Sequence, residues 1–203
     1  MLLTKYVIMS NRDNNNSEEA ILKAAEKEFV ERGFDGARTT SIAERAGVTH
    51  AMLHYFFRTK EQLFERILEE KLIVLADSML LIFGEEGLPL KERLEKGISA
   101  HFDFIAKNPD LPRFLLGELP RVMPLIQKRL FPQILALMPS LQKELKGDVD
   151  MRMLILDILS QNLFPFVAMP VVEMLSAGEE RDAMLERIKQ ENIKIILRRI
   201  ENR

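Results

Sequence analysis

The sequence predicts an all-α protein in which a small N-terminal helical domain precedes a larger helical one. Apolar residues recur at spacings of three and four along most of the chain, which is the period of an amphipathic helix. Helix-capping residues and glycines separate these segments, and no convincing alternation of apolar and polar residues predicts a strand. We therefore expect about eight or nine helices.

The first helix is predicted to begin at Ser17, whose hydroxyl can cap it, and to end at Gly33. Residues 1–16 end in the polar run NRDNNN, and we expect them to form a flexible tail. The apolar residues of the predicted helix fall on one face, as the periodicity requires: Ile21, Leu22, Ala25, Phe29 and Val30.

Two short helices are predicted next, in the stretch TTSIAERAGVTHAMLHYFF. Thr40 or Ser41 is expected to cap the first, since the S-x-x-E spacing that begins at Ser41 is that of a capping box. Gly47 is predicted to end it, and Thr49 to cap the second. Two short helices joined by a glycine turn make a helix-turn-helix motif, here at about residues 40–59.

A long fourth helix is predicted to follow the Thr59 cap, with Gln62 in the position that completes a capping box. Six of the nine prolines lie between Pro109 and Pro139, where each is expected to start, kink or stop a helix. Kinked helices pack imperfectly, which can leave a cavity. Further helical patterns are predicted at about 89–107, 111–117, 120–145, 150–176 and 179–201.

Composition limits the classes of function. With no cysteine, disulfides and thiolate chemistry are excluded, and the chain suits a reducing cytoplasm. The formal charge of −2 makes general binding to a polyanion unfavourable, but residues 36–60 carry four cations against one acid. The longest apolar run, LFPFVAMPVV, is too short to span a bilayer, so we expect a soluble cytoplasmic protein.

His50 and His54 lie four residues apart, so a helix would place both imidazoles on one face. This spacing occurs in H-x-x-x-H zinc sites, and it also suits a helix that reads nucleic acid. Zinc needs a third and usually a fourth ligand, and the predicted short helix carries no acid. We therefore expect no metal and favour nucleic-acid reading.

The string TTSIAERAGVTHAMLHYFFRTKEQLF resembles the N-terminal DNA-binding domain of the TetR family of bacterial transcriptional regulators. The resemblance implies an all-α homodimer with a helix-turn-helix DNA-binding domain at residues 17–64 and a ligand-sensing and dimerisation domain at 65–203. It implies a ligand-responsive regulator, most simply a repressor that binds a near-palindromic double-stranded operator and is released by a small molecule. Neither enzymatic activity nor a cofactor is expected.

The resemblance also assigns roles within the motif. Base edges are expected to meet His50, Ala51 and Met52, and one turn later His54 and Tyr55. The family often has a tyrosine at the positions of His54 and Phe56, and this chain departs from it at both. Phosphate contacts are expected from Thr39 or Thr40, Thr49, Phe56 and Lys60.

Two further sites are predicted in the second domain. Its methionines and phenylalanines suit a pocket for an apolar or amphipathic effector, and Phe102, Met123 and Phe164 are the candidate lining residues. The last helix carries an apolar stripe that fits pairing with a second subunit, although such a stripe can equally cover its own core. The candidate dimer residues on this stripe are Leu185, Ile188, Ile195 and Ile196.

Two other classes of function are open at this point. An all-helical enzyme would bury a small molecule in the second domain, but the chain lacks G-x-S-x-G, Walker and dinucleotide motifs. A helical adaptor would bind partner proteins through residues 60–203, and it would be distinguished by a lack of DNA binding at low salt.

Overall fold

The computed structural model describes residues 2–84, 87–145 and 149–201, with side chains from Asn16 onward except at 75–84, 129, 137 and 140. Within these ranges the chain forms eleven α-helices and one π-helical turn, without a strand. The all-α prediction is confirmed. The chain divides into two compact units, Met1–Lys71 and Leu72–Arg203.

The first unit contains α1 (Leu2–Gly36), α2 (Thr39–Ala46), α3 (His50–Phe56) and the start of α4 (Lys60–Gly84). Helix α1 begins at Leu2 rather than at the predicted Ser17, so the segment expected to be a flexible tail is helical from Leu2. Inside a continuous helix the Ser17 N–H has a carbonyl partner four residues earlier and needs no cap. Gly33, with φ 67° and ψ 174°, interrupts the helical backbone where the sequence predicts a stop.

The predicted caps of α3 and α4 are confirmed. Thr49 Oγ1 accepts from the Met52 N–H at 3.2 Å, and Thr59 Oγ1 accepts from the Gln62 N–H at 3.1 Å. Gly47 ends α2 in the left-handed conformation, with φ 67°, which only glycine adopts without strain.

The predicted cap of α2 is wrong. The helix begins two residues earlier than expected for a Thr40 cap and three earlier than for a Ser41 cap, and its cap position is Arg38, whose side chain makes no cap hydrogen bond. The Ser41 hydroxyl instead donates to Glu28, a carboxylate on α1 that a capping-box pattern does not take into account.

Three phenylalanine rings in mutual contact lie in the core of the first unit. The ring centroids of Phe29 and Phe34 lie 6.0 Å apart, and both rings meet Phe64 edge-on at 5.0 and 4.9 Å. Leu53 of α3 and Ile42 of α2 are buried in the same unit. This core supports the short α2 and α3, which are too short to be stable alone.

In the second unit, prolines divide the helices further than the sequence predicts. The predicted helices 120–145 and 150–176 are divided into shorter segments, because Pro120, Pro132 and Pro170 sit in first turns, where their missing N–H is tolerated. The helices are α5 (Leu90–Lys107), α6 (Leu111–Gly117), α7 (Leu119–Leu125), a π turn (Ile126–Leu130), α8 (Phe131–Glu144), α9 (Met151–Val167), α10 (Met169–Leu175) and α11 (Arg181–Glu201).

Helices α5, α9 and α11 pack around two apolar clusters. One cluster includes Ile98, Ile158 and Ile196, and the other includes Phe102 and Phe166. Buried His101, Asn162 and Asn192 fall between these clusters along their respective helices.

Hydrogen bonds connect this buried polar layer. The Asn162 amide donates to His101 Nδ1 at 3.1 Å and to the Ile98 carbonyl at 3.0 Å. The Asn192 amide donates to Asn162 Oδ1 at 3.1 Å. The layer therefore joins all three helices, and burial lowers the pKa of His101 to about 4.

Among the described residues, no single helix has the length and apolar character needed to cross a membrane. The bent pair α9 and α10, with an angle of 81° between its helices, meets the length and composition test only when the two are taken together.

Candidate nucleic-acid interface

A fully buried carboxylate, that of Glu28 on α1, fastens α1 to α2. Its Oε2 accepts a hydrogen bond of 2.9 Å from the Ser41 hydroxyl, and its Oε1 accepts one of 3.4 Å from the Arg38 backbone N–H. The guanidinium groups of Arg32 and Arg45 lie 3.3 and 3.2 Å from its two oxygens. Because Arg38 and Ser41 belong to the start of α2, these contacts hold that end of the helix against α1.

Arg45 links this buried acid to a second, exposed one. Its guanidinium donates to Glu31 Oε2 at 2.7 Å, and this hydrogen bond lowers the pKa of the Glu31 carboxyl. The same bond raises the pKa of Arg45. Helix α2 is therefore tied to α1 by charge at its C-terminal turn as well as at its start.

A row of contacts crosses the exposed side of α2 and α3. The Thr39 hydroxyl oxygen and His50 Nε2 lie 3.0 Å apart and share a hydrogen bond. The His50 and His54 rings meet at 87°, with centroids 4.4 Å apart, and His54 Nδ1 lies 3.3 Å from the carbonyl oxygen of Arg58. The structure thus brings together three of the residues that the sequence predicts to contact DNA.

The other predicted contacts of α3 differ in their exposure. Ala51 is exposed, Met52 is half-buried, and Tyr55 is 74% exposed. Phe56 is half-buried, with its ring 5.3 Å from that of Tyr55. Phe56 therefore supports the Tyr55 ring, and as a phenylalanine it has no donor for a phosphate.

The threonines at the start of α2 and α3 are placed differently from one another. Thr39 is half-buried and bonded to His50, whereas Thr40 is exposed. Thr49 is exposed, and its hydroxyl oxygen is already engaged as the cap of α3. Thr40 and Thr49 are therefore the exposed hydroxyls, and the Thr49 O–H can still donate to a phosphate while its oxygen accepts from Met52.

Lys60, a predicted phosphate contact, is engaged within the protein. Its Nζ donates to the carbonyl oxygens of Phe34 and Ala37 at 2.8 and 3.2 Å, and it lies 4.5 Å from the centroid of the Phe34 ring. The ammonium therefore ties the start of α4 to the turn between α1 and α2. Of the four cations in residues 36–60, Arg45 and Lys60 are engaged with other protein groups. The other two, Arg38 and Arg58, are exposed.

The exposed face of α3 can present hydrogen-bond donors, acceptors and one aromatic ring to a groove. Such a mixture is what direct reading of base edges requires. Across the side chains that the structure describes, no group of three metal-binding residues is placed to hold a metal ion. His50 and His54 are instead each bonded to a protein group.

The second unit has an apolar groove of about 510 Å³ between α6, α7, the π turn, α8 and α9. Among the lining residues that the structure describes, Arg152 is the one that carries a charge, and its guanidinium is bonded to Asp150 at 2.6 Å. This ion pair lowers the pKa of Asp150 to about 2, chiefly through the side-chain hydrogen bond. Most of the lining is aliphatic, including Leu115, Leu119, Val122, Ile126, Ile134, Ile155 and Leu159.

The structure places the three predicted pocket residues away from this groove. Phe102 is buried against Phe166, with ring centroids 5.2 Å apart. Met123 and Phe164 are exposed, and neither lines the groove. The prediction favoured aromatic and thioether side chains, whereas leucines and isoleucines beside the proline-broken helices form most of the wall.

The four predicted dimer residues differ from one another in burial. Leu185 and Ile196 are buried in the chain's own clusters, and Ile188 packs against the cluster that contains Phe102. Ile195 is 48% exposed. The stripe on α11 therefore covers its own core for the most part, which was the alternative that the periodicity left open.

Sequence reasoning missed two features of these sites. Glu28 lies on the apolar face of α1, four and seven residues after Ala24 and Ile21, and an acid on such a face is the signal that could have revealed it. The groove follows from where the proline-broken helices pack, and the only signal for it is the density of prolines from Pro112 to Pro139.

Residues 21–67 match the family described as "Bacterial regulatory proteins, tetR family". The chain is 28% identical over 191 residues to the HTH-type transcriptional regulator RutR of Escherichia coli (strain K12), covering 89% of this chain and 88% of that protein. It is 31% identical over 111 residues to the HTH-type transcriptional repressor SCO4008 of Streptomyces coelicolor, covering 54% of this chain and 53% of that protein.

The chain spans only about half the length of several of the relatives that it matches, SCO4008 among them. A similar fold occurs in the crystal structure of the putative transcriptional regulator SCO4942 from Streptomyces coelicolor, with a TM-score of 0.69 and 20% identity. That likeness covers 88% of this chain and 97% of the solved chain.

Proposed function

Because this chain belongs to the TetR family of bacterial regulatory proteins, we propose that it is a cytoplasmic, ligand-responsive repressor of transcription. The first unit reads a near-palindromic operator, and the second unit binds a small molecule and pairs with a second copy of the chain. The observation that carries the proposal is the exposed face of α3, which presents His50, His54 and Tyr55, with His50 bonded to Thr39 at the start of α2.

The proposal separates affinity from sequence reading. The exposed Thr40 hydroxyl at the start of α2, with Arg38 and Arg58, supplies contacts to phosphates. The α3 residues His50, Ala51, Met52, His54 and Tyr55 supply contacts to base edges. Lys60 acts chiefly by holding α4 to the α1–α2 turn, since its ammonium already has two carbonyl partners.

Selection of bound sequences from random double-stranded DNA with the full chain tests this function. Recovery of a palindrome whose half-sites lie about one helical turn apart, roughly 34 Å, is expected for a dimeric helix-turn-helix protein. Recovery of random sequence only, with binding that disappears as salt rises, would contradict the proposal. No binding even at low salt would favour a protein-binding adaptor instead.

Two variants distinguish phosphate contacts from base contacts: Arg58→Ala removes a proposed phosphate contact, and His50→Ala removes a proposed base contact. The arginine variant should weaken all DNA alike and reduce the salt slope by about one unit. The histidine variant should alter the selected sequence. An equal loss on specific and random DNA for His50→Ala would remove that residue from base reading.

We propose that the apolar groove of the second unit holds the effector, an apolar or amphipathic molecule. Its described lining is almost entirely aliphatic, and its volume of about 510 Å³ is in the range of small-molecule sites. Arg152, the cation among the described lining residues, is already paired with Asp150. Burial of hydrocarbon is therefore the main source of affinity that the groove offers.

A homologous series of straight-chain alcohols, added to the protein bound to its selected operator, tests this site. Each added methylene should strengthen release by up to about fourfold, since burying one is worth about 0.8 kcal/mol. Leu119→Arg, which places a charge in the groove at an exposed position, should abolish the effect. Met123→Arg on the same helix is the matched control, because Met123 does not line the groove.

Pairing with a second copy is proposed through the outer faces of α9 and α11. The contacts between Asn162 and Asn192, and between Asp157 and Arg199, show that these helices run antiparallel. Ile195 is exposed on α11 at the level between those contacts. Met153 and Phe164 of α9 belong to the same proposed interface, because both are apolar and exposed and neither lines the groove.

A further inference from the structure

The two histidines of α3 have different kinds of partner. His50 Nε2 is bonded to a hydroxyl, that of Thr39, which can either donate or accept. His54 Nδ1 is bonded to the carbonyl oxygen of Arg58, which can only accept. The partner therefore leaves the tautomer of His50 open, but it determines that of His54.

In the neutral His54 ring, the bond to Arg58 requires the proton on Nδ1. The other nitrogen, Nε2, is then unprotonated and acts as a hydrogen-bond acceptor. Among the residues that the structure describes, no group is bonded to His54 Nε2, and the side chain is exposed. The perpendicular contact with the His50 ring, at 4.4 Å between centroids, limits rotation of the His54 ring.

An acceptor in the major groove distinguishes bases by their exocyclic groups. Cytosine N4 and adenine N6 are amino donors, whereas guanine O6 and thymine O4 are acceptors. An imidazole that offers only an acceptor can pair with the first two bases and is left unpaired, or repelled, by the last two.

We propose that His54 is a specificity-determining residue that selects an amino-bearing base, cytosine or adenine, against guanine and thymine at one position of each half-site. The inference rests on the proposed function, since it requires that α3 meets the major groove. Its basis is the hydrogen bond between His54 Nδ1 and the Arg58 carbonyl, which turns a residue able to donate or accept into an acceptor.

Binding of the full chain to operator variants tests the inference. At pH 8, where free imidazole is neutral, each half-site position of the selected operator is replaced in turn by all four bases. One position should favour cytosine or adenine over guanine and thymine by about five- to tenfold, the worth of one hydrogen bond. His54→Phe, which keeps a ring of similar size, should remove this preference.

His54→Arg supplies a sharper outcome, since a guanidinium only donates. The preferred base at the same position should change to guanine, whose N7 and O6 accept. His50→Phe is the matched control: it keeps the ring contact with His54 and should leave the amino preference at that position intact. An unchanged base preference in His54→Phe would overturn the inference, whereas a wild-type chain that selects no sequence would overturn the proposed function and the inference with it.

Nitrogen NMR of the free full chain tests the tautomer without DNA. The chain has three histidines, and at pH 8 His54 should carry its proton on Nδ1. His101 provides the internal reference of opposite form, because Asn162 donates to its Nδ1 and so places the proton on Nε2. A His54 signal of the same form as that of His101 would overturn the inference.

Discussion

At the scale of single residues, Glu28 is fully buried on α1 and has four partners. Two of them, the Arg38 N–H and the Ser41 hydroxyl, lie at the start of α2, and the others are the guanidinium groups of Arg32 on α1 and Arg45 in the last turn of α2. Glu28→Ala removes two charge-assisted contacts and leaves the Ser41 hydroxyl and the Arg38 N–H without an acceptor. We expect it to lower the free energy of unfolding by about 2–3 kcal/mol, because hydrogen bonds to a buried charge are worth about 1.5–3 kcal/mol. Urea denaturation followed by circular dichroism measures this change.

Glu31→Ala is the matched control for Glu28, since both acids bind Arg45 but Glu31 is exposed. Exposed ion pairs contribute little to stability, so this variant should unfold close to the wild-type denaturant midpoint. Equal destabilisation by the two substitutions would show that the burial of Glu28 has no special role. The two variants should also differ in operator affinity, with the larger loss in Glu28→Ala, because of the two acids only Glu28 contacts the start of α2.

His101 makes stability depend on pH. Its pKa in the folded chain is about 4, lowered by burial, whereas an unfolded histidine titrates near 6.5. Between these values the unfolded chain binds the extra proton, so stability is complete above pH 6.5 and is lost as pH falls towards 4. The loss should reach about 2 kcal/mol at pH 5 and about 3 kcal/mol at pH 4.

The comparison of wild type with His101→Gln isolates this effect, because every other titrating group is common to both proteins. The difference between their free energies of unfolding should shrink by about 2 kcal/mol from pH 7 to pH 5. A difference that stays constant across this range would mean that His101 is not a neutral buried group. The relevant transition is that of the unit that contains His101, residues 72–203.

At the scale of secondary-structure elements, the ends of the short helices of the first unit depend on local chemistry. Thr49→Ala removes the cap of α3, whose hydroxyl oxygen accepts from the Met52 N–H. We expect a loss of about 1 kcal/mol in the free energy of unfolding, the usual worth of a threonine cap. Thermal or urea denaturation measures it.

Thr40→Ala is the control for this prediction. Thr40 is exposed and lies inside α2 rather than at its cap position, so the substitution should change stability by less than about 0.5 kcal/mol. A loss as large as that of Thr49→Ala would restore the sequence-based assignment of Thr40 as a cap.

The helix ends around the Gly47 turn could be predicted from the sequence, whereas the start of α2 could not. The end of α2 at Gly47 and the start of α3 at Thr49 depend on residues within one turn, so the sequence predicts both. The start of α2 depends on Glu28, ten and thirteen residues away along the chain. A local pattern carries no information about a contact made by a different helix.

At the scale of the whole molecule, the proposed pairing of two copies predicts the effect of charge on the outer face of α11. Ile195→Arg should convert a dimer to a monomer in analytical ultracentrifugation, because it buries an unpaired charge in the interface. It should also reduce operator affinity strongly, since one monomer reaches one half-site only.

Ile73→Arg is the control for pairing, as Ile73 is equally apolar and 56% exposed but lies on α4. It should sediment as the wild type does. A wild-type chain that is monomeric at all concentrations would remove the pairing proposal. A dimer that is unaffected by Ile195→Arg would show that the interface does not include this face of α11.

The sequence alone determines the helical class, the helix-turn-helix motif and the face of α3 that carries His50, His54 and Tyr55. These follow from periodicity and from caps, which depend on residues a few positions apart. The tertiary structure decides what distant segments do to one another. It engages Lys60 with Phe34 and Ala37, buries Leu185 and Ile196 in their own core, and makes a groove of aliphatic residues rather than of Phe102, Met123 and Phe164. The physical reason is that the type of a side chain determines whether it favours an apolar or a charged surrounding. Which residues provide that surrounding depends on how distant helices pack.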